Sequence, residues 1–120
     1  MANERLYQMK FKDLYPLYLT KVVKKGRNEQ ELVQVITWLT GYREDTLLDI
    51  INSSTTIKEF FVNAPKMHPY ASLITGTICG VQIESIEDPL MKQIRYLDKL
   101  VDELAKQKPM AKILRVPASK

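Results

Sequence analysis

The segment from Asp88 to Gln107 constrains the fold more than any other part of this sequence. Asp88 followed by Pro89 is typical of a helix start, because the carboxylate caps free backbone N–H groups and proline is tolerated at the first helical position. Apolar residues then recur at spacings of four, three, four and three: Leu90, Ile94, Leu97, Val101 and Leu104. Lys108 and Pro109 end the pattern. We expect a long C-terminal helix whose apolar stripe is covered by the rest of the chain.

Shorter helices are predicted on both sides of this segment. Asn28 with Glu31, and Thr56 with Glu59, have the spacing of capping boxes, in which two side chains satisfy free N–H groups at a helix start. Gly41 is placed to end the first of these helices. With the remaining apolar periodicity, the predicted shorter helices cover residues 13–26, 28–41, 44–52, 56–62 and 110–114.

Residues 67–86 fit two interpretations. Leu73, Ile74 and Ile78 have helical spacing, and we favour a helix as far as Gly80. Crowded β-branched residues and glycines also suit a strand. The alternative is therefore an α+β fold with a short strand or hairpin within residues 73–86.

The predicted fold is all-α, a compact single domain of five or six helices around the long C-terminal helix. It covers residues 1–120, with residues 1–8 and 116–120 as flexible ends. The predicted core consists of Leu32, Val35, Ile36, Leu39, Leu47, Ile50, Ile51, Phe60, Leu73, Ile78, Ile94, Leu97, Val101 and Leu104.

Composition and processing signals narrow the class of protein. Hydrophobic residues make up 45% and charged residues 27% of the chain, which are ordinary values for a globular domain, so disorder is not expected. The N-terminus reaches charged residues at once, without an apolar run of signal-peptide length. No stretch has the roughly 20 apolar residues that span a bilayer. We expect a cytoplasmic protein that does not enter a membrane.

Residues that could carry chemistry are few. One histidine, His68, and one cysteine, Cys79, exclude a structural zinc site within one chain. Cys79 lies among apolar neighbours, which disfavours a reactive thiolate. Glu84, Glu87 and Asp88 are better placed to charge a helix N-terminus than to bind magnesium, and no glycine-rich phosphate-binding motif occurs. We predict no catalytic residue, metal site or cofactor, and an enzyme is not favoured.

Positive charge is concentrated at both ends of the chain. Residues 1–27 hold 7 basic and 2 acidic groups, residues 28–102 hold 6 and 11, and residues 103–120 hold 5 and 1. Whether the two basic ends form one patch is open at this stage, and the alternative is that lysines simply occupy solvated helix termini. The candidate residues for binding an anion or partner are Lys21, Lys24, Lys25, Arg27, Lys108, Lys112 and Arg115, with Lys106 beside them.

Three aromatic residues are candidates for a groove or an interface. Trp38, Tyr42 and Tyr96 line either the core or a groove, and the core is the more common place for large rings in a domain of this size. One hypothesis is that this aromatic group, or the apolar seam from Leu90 to Leu104, extends into a symmetric dimer contact.

Several phrases of the sequence are characteristic of a known family. They are WLTGY over residues 38–42, LITGTICGVQIE over residues 73–84, and the run that extends from residue 87 through the long helix to Arg115. Together they resemble the bacterial domain-of-unknown-function 2200 family over nearly the whole chain. The family pattern has a basic residue in place of Gln82 and a glycine in place of Gln107. The resemblance implies a bacterial origin and brings no activity, cofactor or catalytic residue.

The sequence therefore predicts a small non-enzymatic interaction module of unknown specific function, with self-association as one form of that interaction. The alternative is an electrostatic nucleic-acid binder that uses the basic N- and C-terminal regions. Acidic residues in the helices of residues 28–62 oppose binding to a DNA backbone, so nucleic acid is the less favoured partner. The identity of any small-molecule ligand is not indicated.

Overall fold

The computed structural model describes residues 2–78 and 80–115. This part of the chain is mainly helical and carries one short antiparallel hairpin. The helices are α1 (Ala2–Gln8), α2 (Phe11–Lys24), α3 (Glu29–Thr40), α4 (Glu44–Ile51), α5 (Ile57–Val62), α6 (Pro89–Ala105) and α7 (Met110–Ile113). The hairpin strands are β1 (Thr77–Ile78) and β2 (Val81–Gln82).

Helix α6 is the spine of the fold, as predicted. Every residue from Leu90 to Ala105 is buried or half-buried. The helix packs against α2, α3, α5, α7 and the hairpin. The predicted apolar stripe faces the core, with Leu97 and Leu104 at 0% exposure and Leu90 half-buried. Most of the seam is thus covered by this chain's own core, and the dimer contact that the sequence suggested stays a prediction.

The predicted helix starts are confirmed in atomic detail. Asn28 accepts a hydrogen bond from the Glu31 N–H, and the Glu31 carboxylate accepts one from the Asn28 N–H. Thr56 and Glu59 make the same reciprocal pair at the start of α5. Asp88 caps α6 by accepting from the Leu90 N–H at 3.0 Å. Each pair satisfies N–H groups that have no partner within the helix.

Residues 67–86 contain the short hairpin of the alternative interpretation. The favoured prediction, a helix as far as Gly80, is wrong. A 3-10 turn over Pro69–Leu73 is followed by β1 and β2. Gly76 and Gly80 have φ values of 101° and 76°, in the left-handed region that ends a helix and that glycine adopts at little cost. The Ile83 N–H donates to the Gly76 carbonyl at 2.9 Å and closes the hairpin.

The N-terminal segment contains a helix for which the sequence gives no clear signal. Residues 1–8, expected to be a flexible end, include α1, and Tyr7 is buried. The Tyr7 hydroxyl donates to the Asp88 carboxylate at 2.5 Å and ties α1 to the start of α6. The Ile57 N–H donates to the Met9 carbonyl at 2.7 Å, which joins the same region to α5. Residues 116–120 lie outside the described residues.

The hydrophobic core agrees with most of the predicted residues. Leu73 is the clear error, because it is 44% exposed while its neighbour Ile74 is buried. Ile74 has extended backbone after the 3-10 turn, and it is buried while Leu73 at the end of the turn faces solvent. Ile50 and Ile51 are half-buried against the core.

Candidate functional site: the basic end and an aromatic cluster

The two basic ends of the sequence meet in the structure. The turn between α2 and α3 lies against the turn between α6 and α7. The Arg27 Nη1 donates to the Lys108 carbonyl at 2.9 Å, and the Gln107 Nε2 donates to the Lys25 carbonyl. These two contacts make neighbours of basic residues about 80 positions apart in the sequence.

We call this surface the basic end. It consists of the seven predicted candidates and their neighbour: Lys21, Lys24, Lys25, Arg27, Lys106, Lys108, Lys112 and Arg115. The acidic residues paired with it are Glu31, Asp102 and Glu103. The eight basic groups and the three acidic groups paired with them carry a net charge of +5, and exposed Glu29 at the start of α3 reduces the excess at this end to +4.

Both arginines of the basic end are held in internal ion pairs. Glu103 is 2% exposed, and Arg115 holds its two carboxylate oxygens at 2.5 and 2.7 Å. The Arg27 guanidinium donates through Nε and Nη2 to the two carboxylate oxygens of Glu31, at 3.2 and 3.1 Å. These arginines hold the turns together and are less available to an outside partner than the lysines around them.

Asp102 holds two of the lysines in place at the surface. Its carboxylate lies 3.5 Å from the Lys21 Nζ and 3.1 Å from the Lys106 Nζ. Burial alone would raise the pKa of Asp102, but the hydrogen bonds and charges of Lys106 and Lys21 outweigh it and hold the pKa below its usual value. Both lysines remain substantially exposed, with side-chain exposures of 68% for Lys106 and 46% for Lys21.

Three lysines of the basic end are not neutralised. Lys24, Lys25 and Lys112 are exposed and form no ion pair with any residue in 2–78 or 80–115. Lys108 forms a long ion pair, with its Nζ 3.8 Å from a Glu103 carboxylate oxygen, and its side chain is 51% exposed. The surface therefore presents exposed lysines beside arginines that are held in ion pairs.

A second feature, the aromatic cluster, consists of Trp38, His68 and Tyr70. The rings of Trp38 and His68 stack with centroids 4.1 Å apart and planes 19° apart. The ring of Tyr70 follows at 5.3 Å from His68. Trp38 and His68 are half-buried, and Tyr70 is exposed.

Backbone hydrogen bonds hold the loop that carries His68 against the end of α3. The His68 N–H donates to the Leu39 carbonyl at 2.9 Å, and the Lys66 N–H donates to the Thr40 carbonyl at 3.1 Å. Gly41 permits this approach, because a Cβ there would stand 2.8 Å from the Lys66 carbonyl oxygen. Burial and the neighbouring Lys66 charge lower the pKa of His68, so its imidazole is neutral at pH 7.

The other aromatic candidates belong to the core. Tyr42 is buried and donates its hydroxyl to the Phe60 carbonyl at 2.6 Å, so it lines no groove. Tyr96 is half-buried on α6 and packs against the core. Of the three aromatic candidates, Trp38 is the one that joins the aromatic cluster, and it also packs against the core.

Two of the three acidic residues considered for metal binding, Glu84 and Asp88, have structural partners. Glu84 accepts from the Gly76 N–H at 3.1 Å, and Asp88 accepts from Tyr7 and Leu90. Within the described residues, no group of three or more His, Cys, Asp or Glu side chains is arranged to hold a metal ion. Cys79 lies outside those residues.

A hollow of about 540 Å³ beside α1 is lined by Arg5, Leu6, Gln8 and Met9, a set with neither a nucleophile nor a general base. No helix in the described ranges has the length and apolar character needed to cross a membrane.

These features define a small, mainly helical protein with one strongly basic end. The family model for an uncharacterized protein conserved in bacteria, DUF2200, matches residues 5–115, and the chain belongs to this family. The resemblance seen in the sequence is thus confirmed. A crystal structure described as uncharacterized protein SP1917 is 46% identical and superimposes with a TM-score of 0.89, covering 92% of this chain and 91% of that chain. No curated protein matches the sequence.

Proposed function

We propose that this chain is a non-enzymatic interaction module of the bacterial cytoplasm that binds an anionic partner through its basic end. The observation that carries the proposal is the meeting of the two basic chain ends, held by the Arg27–Lys108 and Gln107–Lys25 contacts. Charges that are far apart in sequence are there concentrated on one surface, and such a surface attracts polyanions over several ångströms of solvent.

The lysines are suited to contacts with several phosphates or carboxylates at once. Each is a flexible cation, so the surface adapts to a partner without a fixed geometry. Binding of a polyanion by lysines releases counterions, and the affinity then falls steeply with salt. Three to six phosphate contacts correspond to a slope of log K against log salt of about −2 to −4 for a single strand.

The test is a salt titration of binding with charge-reversed variants. A labelled oligonucleotide is followed by fluorescence anisotropy at several salt concentrations, with the triple variant Lys24→Glu/Lys25→Glu/Lys112→Glu beside the native chain. These three side chains make no ion pair in the described structure, so the variant is expected to fold. We expect the native chain to bind at low salt with the slope above, and the variant to lose at least about tenfold in affinity.

Lys10→Glu/Lys12→Glu/Lys58→Glu is the matched control, because it reverses three exposed charges and takes the net charge from +4 to −2, as the test variant does. Lys58 is exposed on α5, whose start lies beside residues 9 and 10 at the beginning of α2. The basic end lies at the other end of α2, about 20 Å away for a helix of 14 residues. The control is expected to bind within twofold of the native chain. A triple variant that binds as tightly as the native chain would contradict the proposal.

A second copy of the chain is the other candidate partner. Leu17 on α2 is 60% exposed and Leu48 on α4 is 45% exposed, and these two helices pack against each other. An apolar contact of this kind resists salt, whereas contacts made by the basic end do not. Light scattering behind gel filtration separates the two: a dimer that persists in high salt favours self-association through Leu17 and Leu48.

A further inference from the structure

We propose that the anionic partner is a single-stranded nucleic acid, with its phosphates on the basic end and a base stacked on the aromatic cluster. This inference rests on the proposed function of the basic end and adds a second contact region to it. It also names the chemical class of the ligand, which the charge of the surface alone does not.

The first argument is the placement of both features along one face of α3. The Arg27 guanidinium is bonded to Glu31, one turn into the helix. Trp38 comes seven residues after Glu31, which is two turns, or about 10 Å, along the same face. Exposed Gln34 lies between them on that face, three residues after Glu31 and four before Trp38. A strand leaving the basic end can follow this face to the aromatic cluster.

The second argument is the chemistry of the aromatic cluster. Trp38 and His68 already form a stack of two flat rings, and Tyr70 adds a third ring that is 37% exposed. Bases stack on such rings with little sequence preference, because every base has a flat π-face. Exposed Lys66 stands beside His68 and supplies a cation near the same rings. Rings with an adjacent cation are the usual elements of a single-strand binding surface.

The third argument favours a single strand over a duplex. In a duplex the base faces are stacked on one another and cannot reach a protein ring. Helix α4 packs beside α3 and carries exposed Glu44, Asp45 and Asp49. A wide duplex laid across α3 would place a second phosphate backbone near these carboxylates, whereas a single strand adds only one backbone to this side of the molecule.

The test compares two strands of equal length and equal phosphate number, one of about twelve thymidines and one abasic. Anisotropy gives the affinity for each. Trp38 is the sole tryptophan of the chain, so its intrinsic fluorescence reports directly on the aromatic cluster. We expect the thymidine strand to bind about tenfold more tightly than the abasic strand and to quench Trp38.

The matched pair of variants is Tyr70→Ala and Leu73→Ala. Both residues are exposed in the same 3-10 turn, and Tyr70 alone supplies a ring to the cluster. Tyr70→Ala is expected to lose at least about threefold in affinity for the thymidine strand and nothing for the abasic strand. Leu73→Ala is expected to bind both strands as the native chain does.

The outcomes separate this inference from the proposed function. Equal affinity for the two strands, with Trp38 fluorescence unchanged, would overturn the inference and leave polyanion binding by the basic end intact. Tighter binding to a duplex of the same length would also overturn it. No binding to either strand at low salt would overturn both proposals.

Discussion

Replacing Arg115 by alanine is expected to destabilise the protein strongly. Glu103 is 2% exposed, and its carboxylate depends on Arg115 for two hydrogen bonds at 2.5 and 2.7 Å. The same guanidinium donates to the Ile113 carbonyl at 2.7 Å and so fixes the end of α7. Without Arg115, a buried carboxylate is left with Lys108 at 3.8 Å as its remaining ion-pair partner among the described residues.

The magnitude follows from the burial of Glu103. Removing one partner of a buried ion pair costs about 3–5 kcal/mol, because the charge that remains is uncompensated. Lys108 moderates this, so we expect Arg115→Ala to lower the free energy of unfolding by about 3 kcal/mol. With an m-value of about 2 kcal/mol per molar urea, the urea midpoint falls by about 1.5 M.

Urea denaturation followed by circular dichroism measures the effect, with two comparison variants. Arg43→Ala is the matched control, since the Arg43–Asp45 pair is fully at the surface, with side-chain exposures of 83% and 68%. Its effect is expected to stay within about 0.5 kcal/mol. The double variant Arg115→Ala/Glu103→Gln removes the stranded charge and is expected to recover part of the loss. A single variant as stable as the native chain, or a double variant no better than the single, would refute the reasoning.

Three further predictions concern stability. Gln107 has φ 70°, a left-handed conformation that costs a non-glycine residue about 1–2 kcal/mol, so Gln107→Gly should be more stable than Gln107→Ala in urea denaturation. Burial and the Asp88 carboxylate raise the pKa of Tyr7 to about 12. The contribution of the protonated Tyr7 hydroxyl to the free energy of unfolding is therefore present below pH 10 and lost as the pH rises through 12. Tyr7→Phe should show a smaller fall in stability over that range. Gly41→Ala places a Cβ 2.8 Å from the Lys66 carbonyl at φ 80° and should cost at least about 2 kcal/mol, with a shift in Trp38 fluorescence.

The parts of the fold that could be predicted from the sequence depend on neighbouring residues. A capping box needs two residues three positions apart, and Asn28 with Glu31 satisfies that requirement whatever the rest of the chain does. The start of α6 depends on Asp88 and Pro89 in the same way. Its apolar stripe then follows from helical periodicity alone.

The parts that could not be predicted depend on contacts between distant positions. Residues 67–86 do not form the expected helix, because distant contacts hold them in another conformation. The Lys66 and His68 N–H groups donate to carbonyls at the end of α3, and the Lys99 Nζ donates to the Thr77 carbonyl. Helix α1 is fixed by a hydrogen bond from Tyr7 to a residue 81 positions away. Neither partner can be read from local pattern or propensity.

The candidate site divides in the same way. The basic residues were identified by composition, but their meeting at one end depends on how α2, α3 and α6 pack. Glu103 stands in the sequence like an ordinary carboxylate on a helix surface. Its burial and its ion pair with Arg115 could therefore not be predicted from the sequence. The stacking of Trp38 on His68 joins residues 30 positions apart and was likewise hidden.

The most direct test of the account is a map of where a single strand contacts the protein. Uniformly nitrogen-15-labelled protein is titrated with the thymidine strand and followed by amide and indole chemical shifts. The account predicts that the largest shifts occur at Lys24, Lys25 and Lys112 and at the Trp38 indole. Shifts confined to the α2–α4 surface around Leu17 and Leu48, or the absence of shifts at low salt, would contradict it.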